Sequence, residues 1–369
     1  MTRPLRARID LQALAHNFSV ARNAAPNSRI MAVIKANAYG HGAVPVSRAL
    51  AGADAYAVAS VEEAMQLREA GIRQDIVLLE GVFEPAELEL AVTHQLQLVI
   101  HTPEQVRWLE TFRSDASLRL WLKLNTGMNR LGFSPREALP VWQRLQRLSY
   151  VKSAGLRWMS HLACADELDS PVTDRQLGEF AAVTADRGLP RSIANSAGIL
   201  HWPASHADWN RPGIMLYGCD PSGALDGGAV GLEAVMRVTS EIIAIRDVRP
   251  GEGVGYGQRW LAAAPARIGT VSVGYGDGYP RHAPDGTPVW VKGRRVPLAG
   301  TVSMDMITVD LTGHDDIRVG DEVELWGPNL AVNEVAARAG TIGYELLAGM
   351  TARLPRIYRD EDPDPEARS

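Results

Sequence analysis

Short apolar, β-prone runs alternate with amphipathic helical segments through more than half of the chain, and this alternation restricts the fold more than any other feature. Strand–helix repetition builds a parallel sheet, whose buried strands appear in a sequence as short continuous apolar runs. The pattern predicts strands at 30–34, 55–59, 76–79, 97–100, 118–124, 155–159 and 192–194, with helices at 61–70, 84–94, 103–112, 135–148 and 174–187.

An eighth strand is needed to close such a repeat, and it falls at 207–211 or at 214–217. Eight units predict an α/β barrel of the TIM-like (β/α)8 type over residues 1–225. A smaller C-terminal β-rich domain is expected at 226–360, because short alternating segments punctuated by Gly and Pro follow residue 237. Residues 361–369, rich in Asp, Glu and Pro, are expected to form a disordered tail.

Composition narrows the function class. With 369 residues, 46% of them hydrophobic, and a net charge of −5, the chain has material for two packed domains and no basic surface for nucleic acid. No apolar run reaches the roughly 18 residues of a membrane span, and no export signal precedes residue 11. Two cysteines argue against a disulfide scaffold or a metal site and fit the cytoplasm. A small-molecule substrate is therefore expected.

Lys35 directly follows the first predicted strand. Barrel enzymes place their chemistry at the carboxyl ends of the strands, and the preceding apolar run removes water from the ammonium group. Such a lysine can attack an aldehyde to form a Schiff base. On this feature alone, a lysine that caps the strand with its ammonium group in solvent is an equally good interpretation. Lys123, His161 and Asn195 also close or follow predicted strands, so they are expected at the same mouth.

Six blocks resemble the alanine racemase family, in order and across both predicted domains. They are AVIKANAYGHG at 32–42, WLKLNTGMNRLGF at 121–133, MSHLA at 159–163, ANSA at 194–197, RPGI at 211–214 and VGYGDGY at 273–279. The resemblance implies an isomerase that interconverts L- and D-alanine for cell-wall metabolism, with pyridoxal 5′-phosphate (PLP) bound to Lys35. The block at 124–130 resembles the catabolic branch of the family more than the biosynthetic branch.

The resemblance also implies which residues bind the cofactor. The phosphate would be held at Ser196, Gly213 and Ile214 and by the hydroxyl groups of Tyr39 and Tyr344. Barrels often hold phosphates after their last strands, and this favours 207–211 as the eighth strand. His161 would lie against the cofactor ring, and Asn195 belongs to the same group of cofactor-binding residues.

Arg211 would face the pyridine nitrogen of the cofactor. Arginine does not give up its proton in practice, so it can only donate a hydrogen bond to an unprotonated ring nitrogen. The ring then withdraws electrons less strongly than one kept protonated by a carboxylate. By this reasoning racemisation is favoured over transamination.

Racemisation needs a base on each face of the substrate. The resemblance assigns Lys35 to the face of the D-alanine α-hydrogen and Tyr275, from a partner subunit, to that of L-alanine. Arg130, Met304 and Asp305 would receive the substrate carboxylate, and carbamylation of Lys123 would hold Arg130 in place. A homodimer with shared active sites follows.

Three alternatives remain open from the sequence. A PLP-dependent amino-acid decarboxylase shares the two-domain arrangement, but its downstream motifs are not found and Arg211 opposes its stronger electron sink. A non-catalytic PLP-binding protein would lack the second domain. A racemase of broader specificity is compatible with every residue named, because pocket volume is not readable from sequence.

Overall fold

The structure, a computed structural model, describes residues 3–151, 155–223 and 230–358. These residues form two compact units, of which one comprises the described residues of 18–38 and 43–216 and the other those of 1–17, 39–42 and 217–369. Among the described residues, no helix is long and apolar enough to cross a bilayer. The expected tail at 361–369 lies outside the described residues, as do residues 224–229 next to the predicted boundary.

The first unit is built on a closed barrel of eight parallel strands in sequence order. Closure occurs where the first of these strands pairs with the last, with Ile30 opposite Asn210. The strands are β2 (Arg29–Val33), β3 (Ala55–Val58), β4 (Asp75–Leu78), β5 (Leu96–Ile100), β6 (Arg119–Lys123), β7 (Leu156–Met159), β8 (Arg191–Ser192) and β9 (Trp209–Asn210). The predicted barrel is confirmed, and its eighth strand is the one at 207–211.

Helices connect successive strands of the barrel. Several begin as the sequence suggests, with Pro103 and Pro135 at the first helical position and with Ser134 and Glu137 in a capping box. The helix Leu11–Ala24 precedes the first barrel strand, and the helices between barrel strands are Ala43–Ala49, Val61–Glu69, Glu87–Thr93, Pro103–Thr111, Pro135–Gln146, Val172–Thr184 and Ser196–His201.

The second unit contains a separate, mainly antiparallel sheet. Its strand order is β15 (Arg294–Pro297), β14 (Pro288–Val291), β17 (Glu322–Trp326), β10 (Met236–Val248), β1 (Arg6–Ile9) and β18 (Arg356–Tyr358), with β13 (Ala266–Val271) paired to β10 and β16 (Ile307–Asp310) paired to β13. Its long strand is β10 (Met236–Val248), and a small pair, β11 (Gly253–Val254) with β12 (Trp260–Leu261), lies apart. The helices of this unit include Val332–Ala339 and Gly343–Ala348.

The strand β1 (Arg6–Ile9) departs from the predicted domain boundaries, which counted residues 1–225 as barrel. It pairs antiparallel with β10 and parallel with β18, so it belongs to the second sheet. Ala7 and Ile9 are buried while Arg6 and Arg8 are less so, which is the alternation of a strand covered on one face. The partner strand lies more than two hundred residues away, and local sequence carries no sign of that pairing.

Candidate active site

Lys35 follows β2 at the carboxyl end of the barrel, and the four residues after it have an unusual backbone. Residues 36, 37, 38 and 39 have φ angles of 52°, 53°, 54° and 51°, all in the left-handed region. None of them is glycine, and each such L-residue costs about 1–2 kcal/mol. Surrounding contacts must therefore hold this turn in place.

Glu63 supplies two of those contacts. Its Oε1 accepts a hydrogen bond from the N–H of Ala36 at 2.7 Å, and its Oε2 accepts one from the N–H of Ala59 at 2.7 Å. The Asn37 side chain in turn accepts from the N–H of Ala43 at 2.8 Å. One carboxylate thus ties the residue after Lys35 to the end of β3.

Arg211 is buried just after β9. Its guanidinium donates to the Ser192 hydroxyl at 2.6 Å and to the Ser160 carbonyl at 2.6 Å. Among the described residues no carboxylate forms an ion pair with it, and burial lowers its pKa to about 10. At neutral pH the side chain remains a cation that can only donate hydrogen bonds.

His161 follows β7 and lies beside Arg211. The Arg211 guanidinium donates to its Nδ1 at 3.1 Å, which requires an unprotonated Nδ1 and therefore a neutral ring. Burial and then the nearby positive charge of Arg211 hold the pKa of His161 well below 6.5. The imidazole is thus a neutral group in a positive environment.

Lys123 ends β6 and is only 8% exposed. Burial, followed by the positive charges of Arg211, Arg130 and Lys35, lowers its pKa from 10.5 to about 7, and Glu80 opposes the shift. Lys123, Arg130 and His161 line one small cavity at the barrel mouth. Lys123 and His161, two of the four residues expected at one mouth, therefore lie together, and the lowered pKa makes a neutral amine at Lys123 more accessible at neutral pH than at an exposed lysine.

Asn195 and Ser196 form the start of a short helix after β8. The Asn195 side chain caps this helix by accepting from the N–H of Gly198 at 3.0 Å. The Ser196 hydroxyl accepts from the N–H groups of Gly213 at 2.9 Å and Met215 at 3.3 Å. No acceptor among the residues that the structure describes receives the hydrogen of this hydroxyl. The N–H of Gly213 is therefore engaged by Ser196, while Ile214 begins a buried 3₁₀ turn.

The two predicted tyrosines of the cofactor site lie together in the other unit. Tyr39 stacks on Tyr217 with ring centroids 4.9 Å apart, and its ring centroid is 6.1 Å from that of Tyr344. Burial raises the pKa of Tyr39 to about 12, so it stays a protonated phenol and a hydrogen-bond donor.

Tyr275 and Met304 are joined by their backbones in the same unit. The N–H of Tyr275 donates to the Ser303 carbonyl at 3.0 Å, and the N–H of Gly276 donates to the Met304 carbonyl at 2.9 Å. A Cβ on Gly274 would lie 2.3 Å from both carbonyl oxygens, so only glycine permits this approach. Tyr275 is 37% exposed and Met304 52%.

Asp305 is next to Met304, but its carboxylate is already paired with Arg353 at 2.5 Å. A carboxylate repels the carboxylate of an amino acid, so the side chain is unsuited to the role implied by the resemblance. The N–H groups of Met304 and Asp305 have no acceptor among the described residues. These two N–H groups can therefore donate hydrogen bonds to an anion.

Two family models match the chain. The alanine racemase N-terminal domain covers residues 9–221, and the alanine racemase C-terminal domain covers residues 235–358. Together they span most of both units. The chain belongs to the alanine racemase family. It is therefore an isomerase.

Curated alanine racemases match over nearly the whole chain. The enzyme from Chromohalobacter salexigens is 50% identical over 98% of this chain and 100% of its own length. The biosynthetic alanine racemase from Pseudomonas aeruginosa is 51% identical over 96% of this chain and 99% of its own. The latter description names the branch opposite to the catabolic one toward which the sequence leaned.

Solved alanine racemases share the fold. The crystal structure of the biosynthetic enzyme from Pseudomonas aeruginosa has a TM-score of 0.94 at 50% identity, covering 97% of this chain and 99% of that chain. The alanine racemase from Bartonella henselae, described with covalently bound pyridoxal phosphate, has a TM-score of 0.88 at 30% identity and covers 96% of this chain and 99% of that chain.

Residues that support the racemase site were missed by sequence reasoning. Glu63 and Ser192 lie in no motif that was singled out, and Ser160 lies in the block at 159–163, but only the fold brings all three into contact with residues of the site. Asp277 lay inside the block at 273–279, yet its contacts with Arg3 and Arg353 join residues far apart in sequence.

Proposed function

We propose that this chain interconverts L- and D-alanine with PLP as cofactor and with Lys35 and Tyr275 as the two bases. The observation that carries the proposal is the group of Lys35, His161 and Arg211 at the strand ends of the barrel, where the buried Arg211 forms no ion pair with a carboxylate in the part of the chain that the structure describes. A site of this kind suits an anionic cofactor and a carboxylate-bearing substrate.

The residues present fit PLP. Lys35 provides an amine for its aldehyde, and the Ser196 hydroxyl retains a hydrogen for the phosphate. By the family resemblance, Tyr39, which remains a donor at neutral pH, and Tyr344, whose ring lies near it, are proposed to bind the cofactor phosphate. Asn195, Gly213 and Ile214 are proposed to line the phosphate end of the cofactor site. When bound, PLP withdraws electrons from the substrate and makes its α-hydrogen acidic.

Arg211 is proposed to donate a hydrogen bond to the cofactor ring while keeping its own proton. Its contacts with Ser192 and the Ser160 carbonyl fix the guanidinium in the barrel. The neutral His161 packs beside it and cannot act as an acid there. This arrangement limits electron withdrawal and so favours return of the proton to the α-carbon.

Proton transfer is proposed to use one base on each face. Lys35, displayed on the constrained turn after β2, would remove or return the α-hydrogen of D-alanine. Tyr275 would do the same for L-alanine, at the site of a second copy of the chain. Its exposure, and that of Met304, leaves both accessible to that copy. The active unit would therefore be a homodimer.

The substrate carboxylate is proposed to bind the Arg130 side chain and, from the second copy of the chain, the backbone N–H groups of Met304 and Asp305. Lys123 can support Arg130 if its neutral amine adds to carbon dioxide. The ammonium group first releases one proton to give the amine. The amine nitrogen then bonds to the carbon of carbon dioxide as one C=O π bond becomes a C–O− group, and the nitrogen releases a second proton, which leaves a carbamate anion. Repulsion between Lys123 and Arg130 then becomes attraction.

The physiological role proposed is to supply or consume D-alanine for cell-wall metabolism in the cytoplasm. The relatives named alanine racemase favour alanine as substrate.

Trapping with borohydride tests the cofactor assignment. The PLP-loaded protein is reduced, digested and mapped by mass spectrometry, and the expected result is a reduced cofactor adduct on Lys35 alone. Lys123→Met should retain the adduct and Lys35→Ala should lose it. An adduct on another lysine, or none in a protein that racemises alanine, would contradict the proposal.

A further inference from the structure

The turn that carries Tyr275 rests on a buried carboxylate. Asp277 is 1% exposed, and its Oδ2 accepts from the N–H of Gly274 at 2.9 Å. Gly274 is the residue whose backbone lies directly against Ser303 and Met304. Asp277 therefore fixes the approach of the Tyr275 turn to the Met304 turn.

Arg3 neutralises this carboxylate from a distant part of the sequence. Its two terminal nitrogens donate to Oδ1 and Oδ2 of Asp277 at 2.7 and 2.8 Å, a bidentate pair. The same guanidinium donates to the Asp305 carbonyl at 3.0 Å and to the Ser272 hydroxyl at 3.1 Å. A single side chain thus contacts both turns and the residue just after β13.

Arg353 joins the same two turns from the other side. Its Nε lies 3.3 Å from Asp277 Oδ1, and its Nη2 lies 2.5 Å from Asp305 Oδ1. Asp305 follows Met304 directly. Two guanidinium groups and two carboxylates therefore connect the Tyr275 turn to the Met304 turn.

The Arg3 pair differs from an ordinary surface ion pair. Arg6, three residues later, is similarly exposed (33% against 31% for Arg3) but reaches Glu241 through one contact of 3.6 Å, and Glu241 is itself 36% exposed. Exposed ion pairs of that kind contribute little to the free energy of folding. A bidentate pair between an arginine and a buried carboxylate, by contrast, fixes the relative orientation of the two side chains.

We propose that Arg3 is a positioning residue for the second base. Through Asp277 and the Asp305 carbonyl, Arg3 fixes the position of the Tyr275 turn relative to the Met304 turn. The phenol of Tyr275 then approaches the substrate at a fixed distance. The inference rests on the proposed function, in which Tyr275 serves the face of the L-alanine α-hydrogen.

Hydrogen exchange at the α-carbon in heavy water tests it. Exchange without inversion needs only the base on the same side as the hydrogen, so the two enantiomers report on the two bases separately. For holoenzyme carrying Arg3→Gln, L-alanine exchange should fall by roughly 10-fold or more, since a 1 Å displacement can cost about 10²-fold. D-alanine exchange should stay within about 2-fold, and Arg3→Lys should restore part of the loss.

Two reference variants make the outcome decisive. Arg6→Gln should change neither exchange rate, because its pair fixes no turn. Tyr275→Phe should show the same bias against L-alanine in stronger form. If Arg3→Gln lowers the exchange rates of L- and D-alanine equally, or lowers neither, the inference about Arg3 is wrong. The proposed function still stands in that case, provided that Tyr275→Phe lowers the exchange of L-alanine more than that of D-alanine. Equal exchange in Tyr275→Phe overturns both.

Discussion

At the scale of single residues, Lys123 is a lysine whose surroundings disfavour its charge. Burial and three neighbouring cations lower its pKa to about 7, whereas an unfolded chain keeps the ordinary value of 10.5. Below about pH 7 the folded protein must bury a cation, and this cost is fully present. As pH rises from about 7 to about 10.5, the folded amine is neutral and the cost declines to zero.

Lys123→Met should therefore stabilise the unmodified protein most at low pH. In buffer free of carbon dioxide we expect a gain of up to a few kcal/mol near pH 6, at about 1.4 kcal/mol per pKa unit, shrinking steadily toward pH 10. Urea unfolding of the variant and the parent at about pH 6, 8 and 10 measures it. Lys292→Met, at an exposed lysine paired with Asp321, should show no such decline. A gain that grows with pH would contradict the pKa shift.

Lys35, Lys123, His161 and Asn195 were expected at one mouth because parallel barrel strands end there, and of these Lys123 and His161 line one cavity, together with Arg130. The catalytic and binding roles assigned to them stay predictions. The pairing of Asp305 with Arg353 was not predicted. That contact depends on how two turns pack, and neighbouring sequence does not encode it.

At the scale of elements, the left-handed turn after β2 concentrates strain beside Lys35. Four consecutive residues with φ near 52° are held by Glu63 and Asn37. Strain of this kind persists only where surrounding contacts over-determine it, and it is found at functional sites. We infer that this rigid turn fixes the position of the Lys35 backbone at the carboxyl end of the barrel.

Ala36→Gly tests that inference because glycine adopts the left-handed region without penalty. The variant should gain up to about 1 kcal/mol of stability, while kcat falls because the turn is less constrained. Ala51→Gly, at an exposed alanine without a positive φ, is the matched control and should lose stability by up to about 1 kcal/mol. Thermal unfolding and steady-state racemisation provide both readouts. Equal destabilisation by the two substitutions would show that Ala36 is not strained.

Element boundaries show what the sequence could and could not specify. Each barrel strand was predicted to within a few residues, because parallel strands buried on both faces are continuous apolar runs. The strand β1 was missed, because a segment of four residues, in which two apolar residues alternate with two arginines, gives little sequence evidence for a strand. The left-handed turn was also missed, because nothing in Ala-Asn-Ala-Tyr requires a positive φ.

At the scale of the whole molecule, the proposed dimer makes each active site a product of two chains. Mixing Lys35→Ala with Tyr275→Phe under subunit exchange should therefore restore partial activity, because one site of each heterodimer contains both intact bases. Neither variant alone should be active. Native mass spectrometry confirms that exchange has occurred. Absence of recovery after proven exchange would place Lys35 and Tyr275 of one chain in the same site.

The two-base assignment is tested most directly by α-hydrogen exchange in Tyr275→Phe. With Lys35 intact, D-alanine should still trade its α-hydrogen for deuterium, while L-alanine should scarcely exchange, and racemisation in both directions should fall by about 10²- to 10⁴-fold. Proton NMR of each enantiomer in heavy water measures the rates. Equal residual exchange of L- and D-alanine would show that one base serves both faces and that Tyr275 is not the second base.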